Sequence, residues 1–303
     1  MRQANRSISP LLSANWWSRG IFSGVFWGVL LGVLAPAARC LALEVQVNPQ
    51  TPRLGETISV TVESEGSSQT PPKVFWDGET YPAFPAAEDR FRVLLPTTPL
   101  QDPGKRRLRV QNGQEVRNLA VYVRDRNFPT QSIWLPDSKT GITGTDYEFN
   151  RVAEFKQLVT PQQFWQGNFV RPHRGSVTTV YGVRRYYNGE FANNYYHRGV
   201  DYAGRRGSPV VAPAAGRIAL VGREADGFTL HGNTVGIDHG QGVVSIFLHL
   251  HSIEVREGEM VEAGDAIGTV GSTGISTGPH LHWGLYVHGK AIDPVPWRFQ
   301  GIE

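Results

Sequence analysis

The run Ser276-Thr277-Gly278-Pro279-His280-Leu281-His282-Trp283 sets two histidines two residues apart. Residues at that spacing share one face of an extended strand. Read as a strand, the run turns both imidazoles to one side and Leu281 and Trp283 to the other, where a core takes them. The segment before it, Gly271-Ser272-Thr273-Gly274-Ile275-Ser276-Thr277-Gly278-Pro279, has the chemistry of a loop. Two histidines entering a strand from a Gly-rich loop suit a metal or catalytic pair, since His is the commonest metal ligand. The bland alternative is two surface or core histidines on an edge strand.

A second signal lies upstream, at His197-Arg198-Gly199-Val200-Asp201. Gly199 and β-branched Val200 argue against a helix here. On a strand the even spacing puts His197 and Asp201 on one side. Imidazole and carboxylate both bind Zn²⁺, and a catalytic zinc takes three protein ligands plus water. His197, Asp201 and one histidine of the downstream pair complete such a set. Taken alone, the pair also fits an Asp that holds a His tautomer in an ordinary fold.

Working outward, all nine histidines lie at or after residue 173. Core histidines scattered by chance would not avoid more than half of the chain, so a site belongs in the C-terminal half. Val243 to Ser252 reads as a mostly buried strand carrying His249 and His251, which strict alternation places on one face. Burying a charged His is unfavourable, so either needs a partner or a role. Asp238-His239 ends a strand at Gly232–Gly240 and reads as structural. Glu257 to Gly268 reads as a tight turn-and-strand unit. From about residue 164 the chain is β-rich, with many glycines and no long helix.

Residues 43–125 read as one small β domain. Leu43–Val47 and Ile58–Val62 alternate apolar and polar residues. Further short strands cover Val74–Trp76, Phe91–Leu95, Arg107–Val110 and Leu119–Val123, separated by turn pairs such as Asp77-Gly78 and Asn112-Gly113. This spacing predicts an immunoglobulin-like sandwich. It holds no histidine and reads as a spacer or binding module. Residues 126–163 form a linker with one helix over Tyr147 to Val159, whose apolar Phe149, Val152, Phe155 and Leu158 lie at a spacing of three. Thr160-Pro161 ends it.

Residues 1–42 read as a signal peptide or an N-terminal membrane anchor. Arg2, Arg6 and Arg19 precede an uncharged apolar run from Ile21 to Ala38, and small residues precede a cleavage site before Leu43. If uncut, residues 21–38 are about long enough to span a bilayer. Either way the rest is exported, to the periplasm or cell envelope, and the anchor would hold it at the inner membrane. The one cysteine, Cys40, lies in this segment, so a metal in the exported part is held by His, Asp or Glu. Net charge is +3 and Lys/Arg are scattered, so nothing points to a nucleic-acid partner.

Together these motifs resemble the lysostaphin or LytM-type zinc metallopeptidases, bacterial endopeptidases that cut peptidoglycan peptides. The resemblance covers roughly residues 164–297, within a domain bounded at 164–303. It rests on His197-x-x-x-Asp201, on the histidine in Phe247-Leu248-His249-Leu250, on Gly271-Ser272-Thr273-Gly274, and on Ser276 to His282. It implies an antiparallel sheet with a narrow groove over the metal, which after the Ig-like sandwich makes the expected chain all-β. It implies one Zn²⁺ per chain on His197, Asp201 and His282, with His249 and His280 as unligated catalytic histidines. Tyr195 and Tyr196, just before the first ligand, are candidates to line the substrate groove or to pack an entry loop. The implied substrate is a peptidoglycan peptide. The alternative is a non-hydrolytic relative that activates a cell-wall amidase; such domains lack the zinc ligands. A wall-binding module leaves the histidines unexplained. A biotin- or lipoyl-carrier needs a lysine on a hairpin, and none lies between Lys156 and Lys290.

Overall fold

The computed structural model describes residues 43–63, 70–135, 137, 141, 143–300 and 302. The expected export segment lies outside the described residues. The described residues form one compact unit.

Eight strands come first: β1 (Glu44–Asn48), β2 (Thr57–Glu63), β3 (Lys73–Trp76), β4 (Glu79–Tyr81), β5 (Phe84–Ala87), β6 (Arg90–Pro96), β7 (Gly104–Asn112) and β8 (Glu115–Val123). They sort into two four-stranded antiparallel sheets, β1-β2-β6-β5 and β4-β3-β7-β8. Ile58, Val60 and Val62 from one sheet and Val74, Trp76, Leu108 and Val110 from the other share one core. That is the alternation of apolar residues put to use, since every second side chain faces the partner sheet. Asp77 and Gly78, at φ 50° and 82°, close the tight turn between β3 and β4. β4 and β5 escape the sequence pattern because they are short and mostly exposed.

The stretch expected to be a linker is built into the C-terminal half. Its strand β9 (Thr130–Ile133) lies parallel to β11 (Arg184–Tyr187), which in turn pairs with β12 (Glu190–Phe191). Its helix α1 (Asp146–Lys156) is capped by Thr145, whose hydroxyl accepts the Glu148 N–H at 3.1 Å. The helix stops at Lys156 rather than Val159, and its buried stripe is Glu148, Val152 and Phe155. Phe149, expected inside, is 47% exposed. Steps of three fall short of a 3.6-residue turn, so such a stripe drifts off the buried face, whereas steps of four and three hold it.

The remaining strands are β10 (Val177–Thr179), β13 (Val200–Ala203), β14 (Pro209–Val211), β15 (Gly216–Gly222), β16 (Asn233–Gly240), β17 (Val243–Ile253), β18 (Met260–Val261), β19 (Ala266–Val270), β20 (His280–Val287) and β21 (Lys290–Ile292). They form one antiparallel sheet ordered β10-β13-β20-β17-β16-β15-β18, with β14, β19 and β21 paired alongside. Leu281, Trp283 and Leu285 of β20 are fully buried in its core with Phe247 and Val235. The two halves also touch. Trp297 Nε1 donates to Thr57 Oγ1 at 3.1 Å, Lys290 pairs with Glu79 at 3.0 Å, and buried Arg92 donates to the side-chain carbonyls of Gln163 and Gln241.

Glu148 ties α1 to the sheet. Its carboxylate is fully buried and accepts the N–H groups of Leu230 and His231 and a bond from the His231 ring. Burial pushes its pKa up, but the bonds from His231 and from the two amides outweigh that and hold it below the usual carboxylate value. A depressed folded pKa means stability that is present above the unfolded value and lost as pH falls through the folded one. Glu148→Gln is therefore expected to be less stable than the parent at pH 7, by about 3 kcal/mol. Urea unfolding should show that gap narrowing below about pH 4. A gap that is absent at pH 7, or that widens in acid, would contradict this.

Candidate metal centre

β13 and β20 run antiparallel with Asp201 directly opposite His282. Side chains opposite each other on one sheet face stand about 5 Å apart at Cβ, close enough to share a ligand. His197 comes from the loop before β13, where its N–H and C=O bond to Val183 and Gly182. His197 Nε2 lies 2.9 Å from Asp201 Oδ1 and 3.1 Å from His282 Nδ1, and His282 Nδ1 lies 2.8 Å from Asp201 Oδ1. All three side chains are buried. Two zinc donors at about 2.0–2.1 Å and tetrahedral angles stand roughly 3.3 Å apart. The observed separations and the His, Asp, His donor set fit such an ion.

The donors are oriented from behind. His197 Nδ1 bonds the Val180 carbonyl at 2.8 Å, which leaves Nε2 as its free donor. Burial pushes Asp201 up, but its two histidines outweigh this and hold its carboxyl well below the ordinary value. Burial brings His282 down to about 4. At neutral pH Asp201 is therefore charged and His282 neutral, the forms a metal binds.

His249 and His280 stand beside this set, their ring centres 4.9 Å apart. His249 Nδ1 bonds the Thr273 carbonyl at 2.9 Å, and His280 Nδ1 bonds the Gly278 carbonyl at 2.8 Å. In the tautomer these partners require, Nε2 of each ring carries the lone pair. All five residues line one cavity of about 780 Å³. Burial, then the neighbouring His280 and His282, push His249 well below the usual imidazole value.

His249 and His251 do not share a face, contrary to strict alternation. His249 sits in the left-handed region at φ 63°, which breaks the period of two inside β17. His249 lines the cavity, while His251 is exposed and accepts from Arg206 Nε at 3.2 Å. Tyr195 lines the cavity. Tyr196 does not: it is 5% exposed, and its hydroxyl donates to the Ala291 carbonyl at 3.1 Å. Packing of the core accounts for it.

Residues 195–294 match the model of peptidase family M23. NlpD of Yersinia enterocolitica, described as a lipoprotein, is 39% identical over 95 residues, 31% of this chain and 94% of that protein. The chain belongs to peptidase family M23. NlpD of Escherichia coli, described as a murein hydrolase activator, is 32% identical over 136 residues, 45% of this chain and 31% of that protein. The DD-carboxypeptidase/endopeptidase Mpg of Neisseria meningitidis serogroup B is 44% identical over 99 residues, 33% of this chain. The chain spans only 22% of the length of Mpg. A Pseudomonas aeruginosa protein solved as a candidate M23 peptidase has a TM-score of 0.60 and 25% identity, covering 84% of this chain and 97% of that one. That share exceeds the C-terminal half, so the likeness reaches into both halves.

Two residues beside the candidate centre, Arg185 and His231, carry no sequence signal. Arg185 is buried, with Nη2 3.5 Å from Asp201 Oδ2 and Nη1 3.2 Å from the Tyr187 hydroxyl. It sits in a short strand whose place beside the three candidate donors only the fold reveals. His231 lines the cavity, and its carbonyl accepts the His249 N–H at 3.1 Å. Glu148 holds that His231. Gly199 has a steric reason to be glycine: a Cβ there would stand 2.3 Å from the Trp283 carbonyl and 2.8 Å from His282 Nε2. Gly199→Ala is expected to weaken metal binding by roughly 10–100-fold, as loss of a supporting contact does. Metal titration against a chromogenic chelator checks this, and parent-like affinity would refute it.

Proposed function

We propose that the chain is an exported zinc metalloendopeptidase that hydrolyses peptide bonds in bacterial peptidoglycan. The observation that carries the reading is the convergence of His197, Asp201 and His282 next to two further histidines in one cavity. Bound on those three donors, one zinc ion per chain would supply a water pKa near 7 and polarise the scissile carbonyl. His249 and His280 supply the proton traffic. Each presents an Nε2 that accepts a proton from the attacking water and, once charged, gives it to the leaving amine or steadies the oxyanion. Tyr195 and Arg198 stand on the cavity wall where an extended peptide would lie.

The second reading follows from NlpD: a domain that activates a murein hydrolase by binding it. Binding alone needs neither a convergent donor set nor two more imidazoles held with Nε2 free, and this chain keeps both. The place of action is the cell envelope, reached by way of residues 1–42. Among the described residues no helix is long and apolar enough to cross a membrane, so membrane attachment rests on that segment.

The test separates metal from chemistry. His197→Ala is expected to lose both bound zinc and hydrolysis of purified peptidoglycan. His280→Ala should keep zinc near one per chain and lose hydrolysis by about 10²–10⁴-fold. Metal analysis and muropeptide mass mapping read the two properties. Parent protein that holds zinc yet releases no fragments, with or without chelator, would favour the activator.

A further inference from the structure

The cavity walls carry a charge imbalance that the metal centre does not use. Besides histidines, the charged side chains lining it are Lys156, Arg185, Arg198 and Asp201. Asp201 is committed to His197 and His282 and lies beside Arg185. That leaves Lys156 and Arg198 with no acid. Among the described residues neither makes a salt bridge or a side-chain hydrogen bond. Lys156 Nζ rests 4.8 Å from the Tyr286 ring centre, and the Arg198 guanidinium 5.5 Å from Tyr195 and 6.0 Å from Tyr196. Such contacts position a cation but leave its N–H donors available.

The two cations belong together. Both also line two further pockets, one with His231 and one with Tyr196, Tyr286, Asp77 and Glu79, whose carboxylates pair with Arg106 and Lys290. They reach this corner from different elements: Lys156 from the last turn of α1, Arg198 from the residue after a metal donor. Consecutive Cα atoms are about 3.8 Å apart, so Arg198 is anchored next to the metal. Two cations that line the same pockets, neither of them ion-paired, repel each other, and one anion between them relieves both. A guanidinium fork and an ammonium suit a carboxylate in particular.

We propose that Lys156 and Arg198 form a carboxylate subsite, and that the peptide cut here carries a free carboxylate within about two residues of the scissile bond. The inference rests on the hydrolase reading and narrows its substrate class. A neutral bridge such as oligoglycine leaves both cations unpaired, whereas a peptide with an acidic residue or a free terminal carboxylate pairs them. It also gives the connector helix a part in specificity.

The experiment uses the zinc-loaded exported protein and two substrates: cross-linked stem peptides isolated from peptidoglycan, and the same peptides with their carboxylates converted to carboxamides. The parent is expected to favour the carboxylate form in kcat/KM by roughly tenfold or more, mostly through KM. In the K156A/R198A double variant that ratio should fall toward one, with each single variant between. Binding of both peptides to the parent, the double variant and His280→Ala is followed in parallel by fluorescence anisotropy. Equal rates and equal binding of the two peptides to the parent would overturn the subsite, as would a ratio unchanged in the double variant. If neither peptide is cut but the carboxylate form alone binds, and only while Lys156 and Arg198 are present, the hydrolase reading fails and the subsite stands.

Discussion

The structure depends on one register. β13 meets β20 with Asp201 opposite His282, and the same pairing sets Val200 opposite Trp283 and Tyr202 opposite Leu281. A slip of β20 by one residue would turn His282 into the core and Trp283 into the cavity. Burial of Val200, Tyr202, Leu281 and Trp283, all at 0% exposure, is therefore what fixes the chemistry on the other face. The candidate donors are held in place by the apolar residues between them.

The second constraint is the backbone of His249, which is left-handed inside β17. Its amide is held by the His231 carbonyl, its ring by the Thr273 carbonyl, and His231 in turn by buried Glu148. The chain of contacts runs from the connector helix to the imidazole of His249. A segment that reads in sequence as a link between two domains is thus part of the site's support, and its strand β9 adds Gln131 and Ile133 to the cavity wall.

Most of the centre was legible in the sequence because it is written in residue type and short spacing. His280 and His282 share a face by simple alternation, and His197-x-x-x-Asp201 joins them because Gly199 lets the backbone pass against Trp283. The limits were equally physical. Alternation could not separate His249 from His251, since one φ angle decides it. A spacing of three marked a helix but named Phe149 for a buried place that Glu148 takes. Tyr196 looked like Tyr195 until the fold put it in the core. Arg185 and His231 come from short strands and loops whose approach to the candidate centre is set by tertiary packing alone.

The most direct measurement is anomalous diffraction at the zinc edge from crystals of the zinc-loaded protein. The account requires one strong peak per chain, about 2.0–2.2 Å from His197 Nε2, Asp201 Oδ1 and His282 Nδ1, with no protein ligand in the remaining position. No peak at that point, or an ion held there by His249 or His280 instead, would contradict it.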